Sequence, residues 1–224
     1  MEDMRIAVLG IGATGAVLAS AILRQNPKTA LIDPMPGLGE AIRKKGIRIS
    51  GVLSYETTVK NFFSSVDELK EYDPNIIFIS TKTFHLETVL KSLKPLIRPD
   101  VRLISTHNGL GPEDLIASYF GKESAFRMSL NFGVSLKGPG EVEMNFFNRP
   151  NHLGALSESN RDLGLRIAKL LTDSGLDTEY VDDIKMYVWK KMIMKCTMAS
   201  ICAVTDRTIK EALDFPPTRE IADG

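Results

Sequence analysis

The sequence predicts an α/β fold, a doubly wound parallel sheet with helices on both faces, followed by the start of an all-helical second domain. Three observations predict it. Short apolar runs, Met4–Leu9, Thr29–Ile32, Ile76–Ser80 and Val101–Thr106, alternate with stretches of helical spacing. The resulting β-α-β-α order occurs twice, and strands crossed over by helices pair in parallel. From Asp183 the alternation stops, and Ile184–Val204 reads as one long helix with few polar positions.

Taken in order, Met4–Leu9 reads as a buried strand ending in Gly10, and Ala13–Gln25 as a helix that stops before Asn26-Pro27. Thr29–Ile32 is a second strand closed by Asp33-Pro34, and Leu38–Lys45 a helix stopped by Gly46. Ile47–Thr58 alternates weakly, as an edge hairpin would. Asp67–Glu71 is a short helix with Ser64 or Ser65 as its cap. Ile76–Ser80 is a β-branched strand, Phe84–Ile97 a helix interrupted late by Pro95, Val101–Thr106 a strand, and Pro112–Phe120 a helix. Phe126–Val134 and Glu141–Phe147 flank Lys137-Gly-Pro-Gly140, so they read as a hairpin continuing the sheet edge. Arg161–Ser174 is a helix and Asp177–Val181 a last strand. Thr208–Leu213 starts a further helix, broken by Phe215-Pro216-Pro217. The expected division is 1–182 for the sheet domain and 183–224 for the helical one.

Lys+Arg and Asp+Glu are equal at 28 each, so the chain lacks the basic footprint that nucleic acid requires. No apolar run is long enough to span a bilayer. Ile6–Leu23 is apolar, but Glu2 and Asp3 precede it where a leader would be basic, and spaced glycines interrupt it. Cys196 and Cys202 fall on one predicted helix, which argues against a disulfide framework and fits a reducing, cytoplasmic setting. His85, His107 and His152 have no metal-ligand spacing, and no metal is expected.

The most specific motif is Gly10-Ile-Gly12-Ala13-Thr14-Gly15, between a predicted strand and a predicted helix. Its first glycine permits a tight turn, its second lets backbone approach a pyrophosphate, and its third lets helix pack on strand. The helix N-terminus offers N–H groups and a positive dipole end to phosphates. The sheet is therefore of the Rossmann type. Asp33, at the end of the next strand, is placed to accept from the ribose hydroxyls of a dinucleotide and to repel a 2′-phosphate; equally, it is a turn or cap residue before Pro34. No basic residue follows it until Arg43, so NADH is favoured, with Arg43 or Lys44 as the alternative holders of a 2′-phosphate.

Ligands of parallel sheets bind beyond the C-terminal strand ends. Two such ends carry polar residues, Ser80-Thr81-Lys82-Thr83 and Thr106-His107-Asn108-Gly109-Leu110-Gly111. Lys82 suits a ribose hydroxyl or phosphate oxygen, and Asn108 the nicotinamide ribose, its carboxamide or a substrate. A solvated loop lysine and a plain turn are the alternatives. His107 reads as a support for its loop. In Trp189-Lys-Lys191-Met-Ile-Met-Lys195-Cys196 the lysines are four apart and share a face with Val188, Met198 and Cys202. A helix apolar nearly all round is expected to be buried. Lysines within it either work as general acid or base or snorkel to the surface.

These segments, with the hairpin around Gly138-Pro139-Gly140, resemble the ketopantoate reductase (2-dehydropantoate 2-reductase) family over essentially the whole chain. The resemblance implies an NAD(P)H-dependent reductase that converts 2-dehydropantoate to pantoate in pantothenate biosynthesis. It implies Lys191 as the catalytic residue that protonates the ketone oxygen, with Lys82 and Asn108 contacting cofactor and substrate. Family usage implies NADPH, whereas Asp33, where many members carry a basic residue, argues for NADH. Lys195 and Ala199 stand where the family has asparagines that contact substrate. Lys195 is thus a candidate for a substrate carboxylate, and another 2-oxo acid or an opine-type imine is the alternative substrate. The family's helical domain is longer, so the chain is expected to be truncated, lacking part of the substrate cleft and of the contact for the homodimer that the resemblance allows. A dinucleotide-binding module without catalysis is the remaining alternative.

Overall fold

Ile6–Leu9 is buried at every position, as a strand covered on both faces must be. This strand is β1 of a computed structural model that describes residues 4–223. Glu2 and Asp3, which argued against a leader, lie outside the described residues. After β1 come α1 (Ala13–Gln25), β2 (Ala30–Ile32), α2 (Leu38–Lys45), β3 (Ile47–Gly51), β4 (Tyr55–Thr57), β5 (Asn61–Phe63) and α3 (Leu69–Tyr72). They are followed by β6 (Ile76–Ile79), α4 (Leu86–Leu93), β7 (Arg102–Ser105), α5 (Pro112–Phe120), β8 (Ala125–Ser129), β9 (Phe132–Gly138) and β10 (Glu141–Phe147). Next are β11 (Asn151–Ala155), α6 (Arg161–Asp173), β12 (Thr178–Tyr180), α7 (Ile184–Met194), α8 (Ser200–Thr205), α9 (Ile209–Asp214) and α10 (Pro216–Asp223).

Eight strands form the main sheet in the order β12-β11-β8-β7-β6-β1-β2-β5. Its pairs are parallel except β8 with β11. In register, Val8 lies opposite Leu31 and Phe78. Alternate residues feed the two sides, as the pleat requires. Val8, Leu31, Phe78 and Ile104 join the cluster that contains α1 and α6, while Ala7, Ala30, Ile77 and Leu103 join the one that contains α4 and α5. The α/β, doubly wound reading thus holds. Ser65 caps the turn into α3, and Glu68 answers it in a capping box. The helix expected over Phe84–Ile97 is shorter: one 3₁₀ turn at Thr83–His85 leads into α4, which ends before Pro95.

The run Phe126–Val134 is not one strand, and its hairpin does not continue the main sheet. β8 stays in the main sheet, whereas β9 and β10 build a second sheet, β4-β3-β10-β9. The cause is a corner at Asn131. Its backbone N–H donates to Asn151 Oδ1 at 2.8 Å and its Nδ2 to the Pro150 carbonyl at 2.6 Å. These bonds turn the chain between strands that a hydrophobic pattern alone joins. The weak alternation of Ile47–Thr58 becomes the β3–β4 hairpin at one edge of that sheet. Strands β5 and β11 are not evident in the sequence pattern.

The chain divides into two compact units, Met1–Ile184 and Lys185–Gly224. The second is helical throughout its described elements. α7 runs through a π turn, Lys195–Ala199, into α8. The Thr197 hydroxyl donates to the carbonyl of Ile193 at 3.0 Å, occupying a carbonyl at the wide turn. Thr208 caps α9 with Glu211, and Pro216 and Pro217 open α10 rather than ending the helical structure. The expected burial of the Ile184–Val204 helix is not seen: Met186, Trp189, Ile193, Met194 and Val204 are exposed. A helix with apolar residues all round has no single stripe to bury, so packing on one side leaves the others in water. No described helix is long and apolar enough to cross a membrane.

Candidate functional site

A cleft of about 780 Å³ opens at the C-terminal ends of β1, β2, β6 and β7, lined by Gly10, Gly12, Ala13, Thr14, Asp33, Lys82 and Asn108 among others. Gly10 sits at φ +86°, and a Cβ there would stand 2.7 Å from the Thr81 nitrogen. A Cβ on Gly15 would overlap the Gly10 carbonyl, so α1 can lie on the end of β1 only without one. At Gly12 a Cβ would meet nothing within 4 Å, because that position faces the open cleft. Gly12 also caps α1 with no side-chain acceptor, and the first turn holds no acidic residue. The helix therefore presents amide hydrogens and a positive dipole end to whatever enters. A pyrophosphate fits this cradle in both shape and sign.

Asp33 serves its own turn and latches the loop as well. Its Oδ1 accepts from Met35 N–H at 2.9 Å, and its Oδ2 accepts from Ile11 N–H at 2.7 Å. A carboxylate has acceptor capacity beyond two bonds, and Asp33 lines the cleft, so it can still receive ribose hydroxyls. Arg43 is turned elsewhere: its Nη2 donates to the Phe62 carbonyl at 2.6 Å, and its guanidinium lies over the Phe62 ring. Neither Arg43 nor Lys44 lines the cleft.

Lys82 and Asn108 are exposed on adjacent strand-end loops. Between them His107 is a cross-brace. Its Nδ1 lies 2.9 Å from Ser105 Oγ and its Nε2 3.3 Å from Thr81 Oγ1. Burial, and secondarily the charge of Arg127, push His107 down to about 4, so it is neutral at physiological pH. Arg127 lies beneath the loop, 2% exposed, donating to Ser105 Oγ at 3.1 Å and to the Gly109 carbonyl at 2.9 Å. Its buried counter-charge is Glu113, with Nη1 to Oε2 at 3.6 Å. Burial pushes the Arg127 guanidinium below its ordinary range, and Glu113 opposes that shift. Reading motifs overlooked both residues. The available signal was a lone cation inside Ala125–Ser129, a strand buried at every position.

Lys191 and Lys195 belong to the second unit, Lys191 in the last turn of α7 and Lys195 opening the π turn. Along the face expected to join Val188, Lys191, Lys195, Met198 and Cys202, Val188 and Met198 are buried and the other three are half-buried, while the π turn Lys195–Ala199 breaks the regular helical spacing between them. Cys196 and Cys202 are both free thiols. Among the described residues no cluster of His, Cys, Asp and Glu could hold a metal ion.

Residues 6–158 match the family described as "Ketopantoate reductase PanE/ApbA". The chain belongs to the ketopantoate reductase family. Among curated relatives, the 2-dehydropantoate 2-reductase of Lactococcus lactis subsp. lactis is 26% identical over 219 residues, which is 97% of this chain and 70% of that protein. The enzyme of the same name from Streptococcus pyogenes serotype M3 is 28% identical over 208 residues, 93% of this chain and 66% of its own. The chain thus spans about two thirds of the length of these relatives. A solved structure of D-mandelate dehydrogenase with NADH and anilino(oxo)acetate superposes with a TM-score of 0.84 over 98% of this chain and 70% of that one, at 24% identity. That likeness concerns the fold. Ketopantoate reductases are oxidoreductases, and in this member the glycine loop, Asp33 and the two strand-end loops share one cleft.

Proposed function

We propose that this chain is a nicotinamide-dinucleotide-dependent reductase of a 2-oxo acid, with 2-dehydropantoate as the first substrate to try. The observation that carries the reading is the cradle at Gly12, uncapped and open, at the end of a cleft that reaches Lys82 and Asn108. In this reading residues 1–182 bind the dinucleotide, and 183–224 begin a helical substrate domain. Gly10, Gly12, Ala13, Thr14 and Gly15 receive the pyrophosphate. Asp33 takes the adenosine ribose, while Lys82 and Asn108 orient the nicotinamide half and the substrate.

When bound, the reduced nicotinamide supplies a hydride to the ketone carbon. The Lys191 ammonium donates a proton to the ketone oxygen and stabilises the charge that grows there, and Lys195 pairs with the substrate carboxylate. NADH is the preferred donor. A 2′-phosphate beside Asp33 would meet a negative charge, and Arg43 is tied to the Phe62 carbonyl. The test is oxidation of NADH and of NADPH by the full chain in the presence of 2-dehydropantoate. NADH turnover exceeding that with NADPH is expected. Lys191→Ala should lower kcat by about two to four orders of magnitude with little change in NADH affinity. Unchanged turnover in that variant would remove Lys191 from the mechanism. Binding without oxidation across a panel of 2-oxo acids, with and without amines, would favour a non-catalytic module.

A further inference from the structure

The hydrogens in the strand-end cluster can be placed by counting donors. Arg127 only donates, so Ser105 Oγ accepts from it at 3.1 Å. The backbone N–H of His107 donates to the same oxygen at 3.4 Å. A hydroxyl has two lone pairs and one proton, so both lone pairs of Ser105 are occupied. Its proton must go to His107 Nδ1, 2.9 Å away. Neutral imidazole carries one N–H, which therefore sits on Nε2 and donates to Thr81 Oγ1 at 3.3 Å. The Thr81 oxygen is then an acceptor within the protein, and its own proton has no acceptor among the described residues.

The neighbouring hydroxyl behaves in the opposite way. Thr106 Oγ1 donates to the Ile79 carbonyl at 3.1 Å, so it must accept from Ser80 Oγ at 2.8 Å. The Ser80 proton is committed inward and the Thr81 proton is not. Thr81 lines the cleft, and its backbone nitrogen abuts Gly10.

We propose that the Thr81 hydroxyl donates to an acceptor oxygen of the dinucleotide, phosphate or ribose, beside the glycine loop, its direction set by the relay Arg127–Ser105–His107. The inference rests on reading the cleft as a dinucleotide site. Arg127 and His107 are positioning residues in it, since they act on the ligand through Thr81. An imidazole that stays neutral to low pH keeps the relay in one arrangement across the working range.

Two measurements on the full chain test this. Calorimetric titration with NADH compares the unaltered protein with Thr81→Val, which keeps the shape and removes the hydroxyl, and with Thr81→Ser, which keeps the hydroxyl. Loss of one hydrogen bond should weaken binding about fivefold in Thr81→Val, while Thr81→Ser stays within about twofold. Nitrogen NMR of His107 in ligand-free protein should report the Nε2–H neutral form at pH 7. NADH bound equally well by unaltered protein and Thr81→Val overturns the Thr81 contact and leaves the dinucleotide reading standing. An Nδ1–H imidazole overturns the relay. Absence of binding by the unaltered chain to either NADH or NADPH overturns the dinucleotide reading and this inference with it.

Discussion

Ser105 holds together a buried guanidinium and a buried imidazole, and the imidazole makes the fold sensitive to acid. In an unfolded chain His107 would take up its proton near 6.5; in the fold that falls to about 4, because of burial and the Arg127 charge, with Glu113 as the other charged group nearby. Between those values the unfolded chain binds more protons, so stability is complete above pH 6.5 and declines as pH falls toward 4. The decline attributable to His107 is at most about 3 kcal/mol. Urea midpoints measured from pH 4.5 to 8 should show it, and His107→Gln should flatten that part of the profile. An unaltered slope in His107→Gln would show that the acid sensitivity arises elsewhere. At this scale the sequence revealed what is local. The glycine loop, Asp33, Lys82 and Asn108 announce themselves within a few residues. Thr81 and Arg127 do not, because their roles depend on His107, Ser105 and Gly109, which come from other strand ends.

Strands buried on both faces were legible because β-branched runs such as Ile76–Ile79 can be little else. The corner at Asn131 was not, since Leu130 and Phe132 extend the apolar pattern on either side of it. What turns the chain there is Asn151, fully buried, whose Oδ1 receives Asn131 N–H and whose Nδ2 donates to the Asp177 carbonyl at 3.2 Å. Asn151→Ala leaves the Asn131 amide without its partner and should cost about 2 kcal/mol, read as a lower urea midpoint at unchanged slope. A loss under about 0.5 kcal/mol would mean that the corner is held by the Asn131 side chain instead. The second sheet escaped prediction for a related reason. β3 pairs in parallel with β10, Ile49 opposite Val142, and no local pattern tells a strand which distant partner it will find.

For the molecule as a whole, a ligand that binds only the folded state adds to its stability by mass action. NADH at a hundred times its Kd should raise the unfolding free energy of the sheet unit by about 2.7 kcal/mol. NADPH at the same concentration should raise it less, owing to Asp33 and the tethered Arg43. Thermal scans followed by circular dichroism check both, and equal shifts would refute the expected cofactor preference. The end of strand-helix alternation near Asp183 is legible in the sequence, whereas the interruption of the long helix is not, because Lys195–Ala199 contains neither proline nor glycine. That interruption acts as a phase slip. Deleting a single residue from the wide turn would let an ordinary helix close over it with the later side chains left where they are, whereas an ordinary helix closed over all five residues would swing each later side chain about 100° around the axis. Cys202 and Val204 would then point in new directions while their local sequence stayed the same. The azimuth of the chain after Ala199 is thus fixed by the number of residues in one turn, whichever side chains those residues carry.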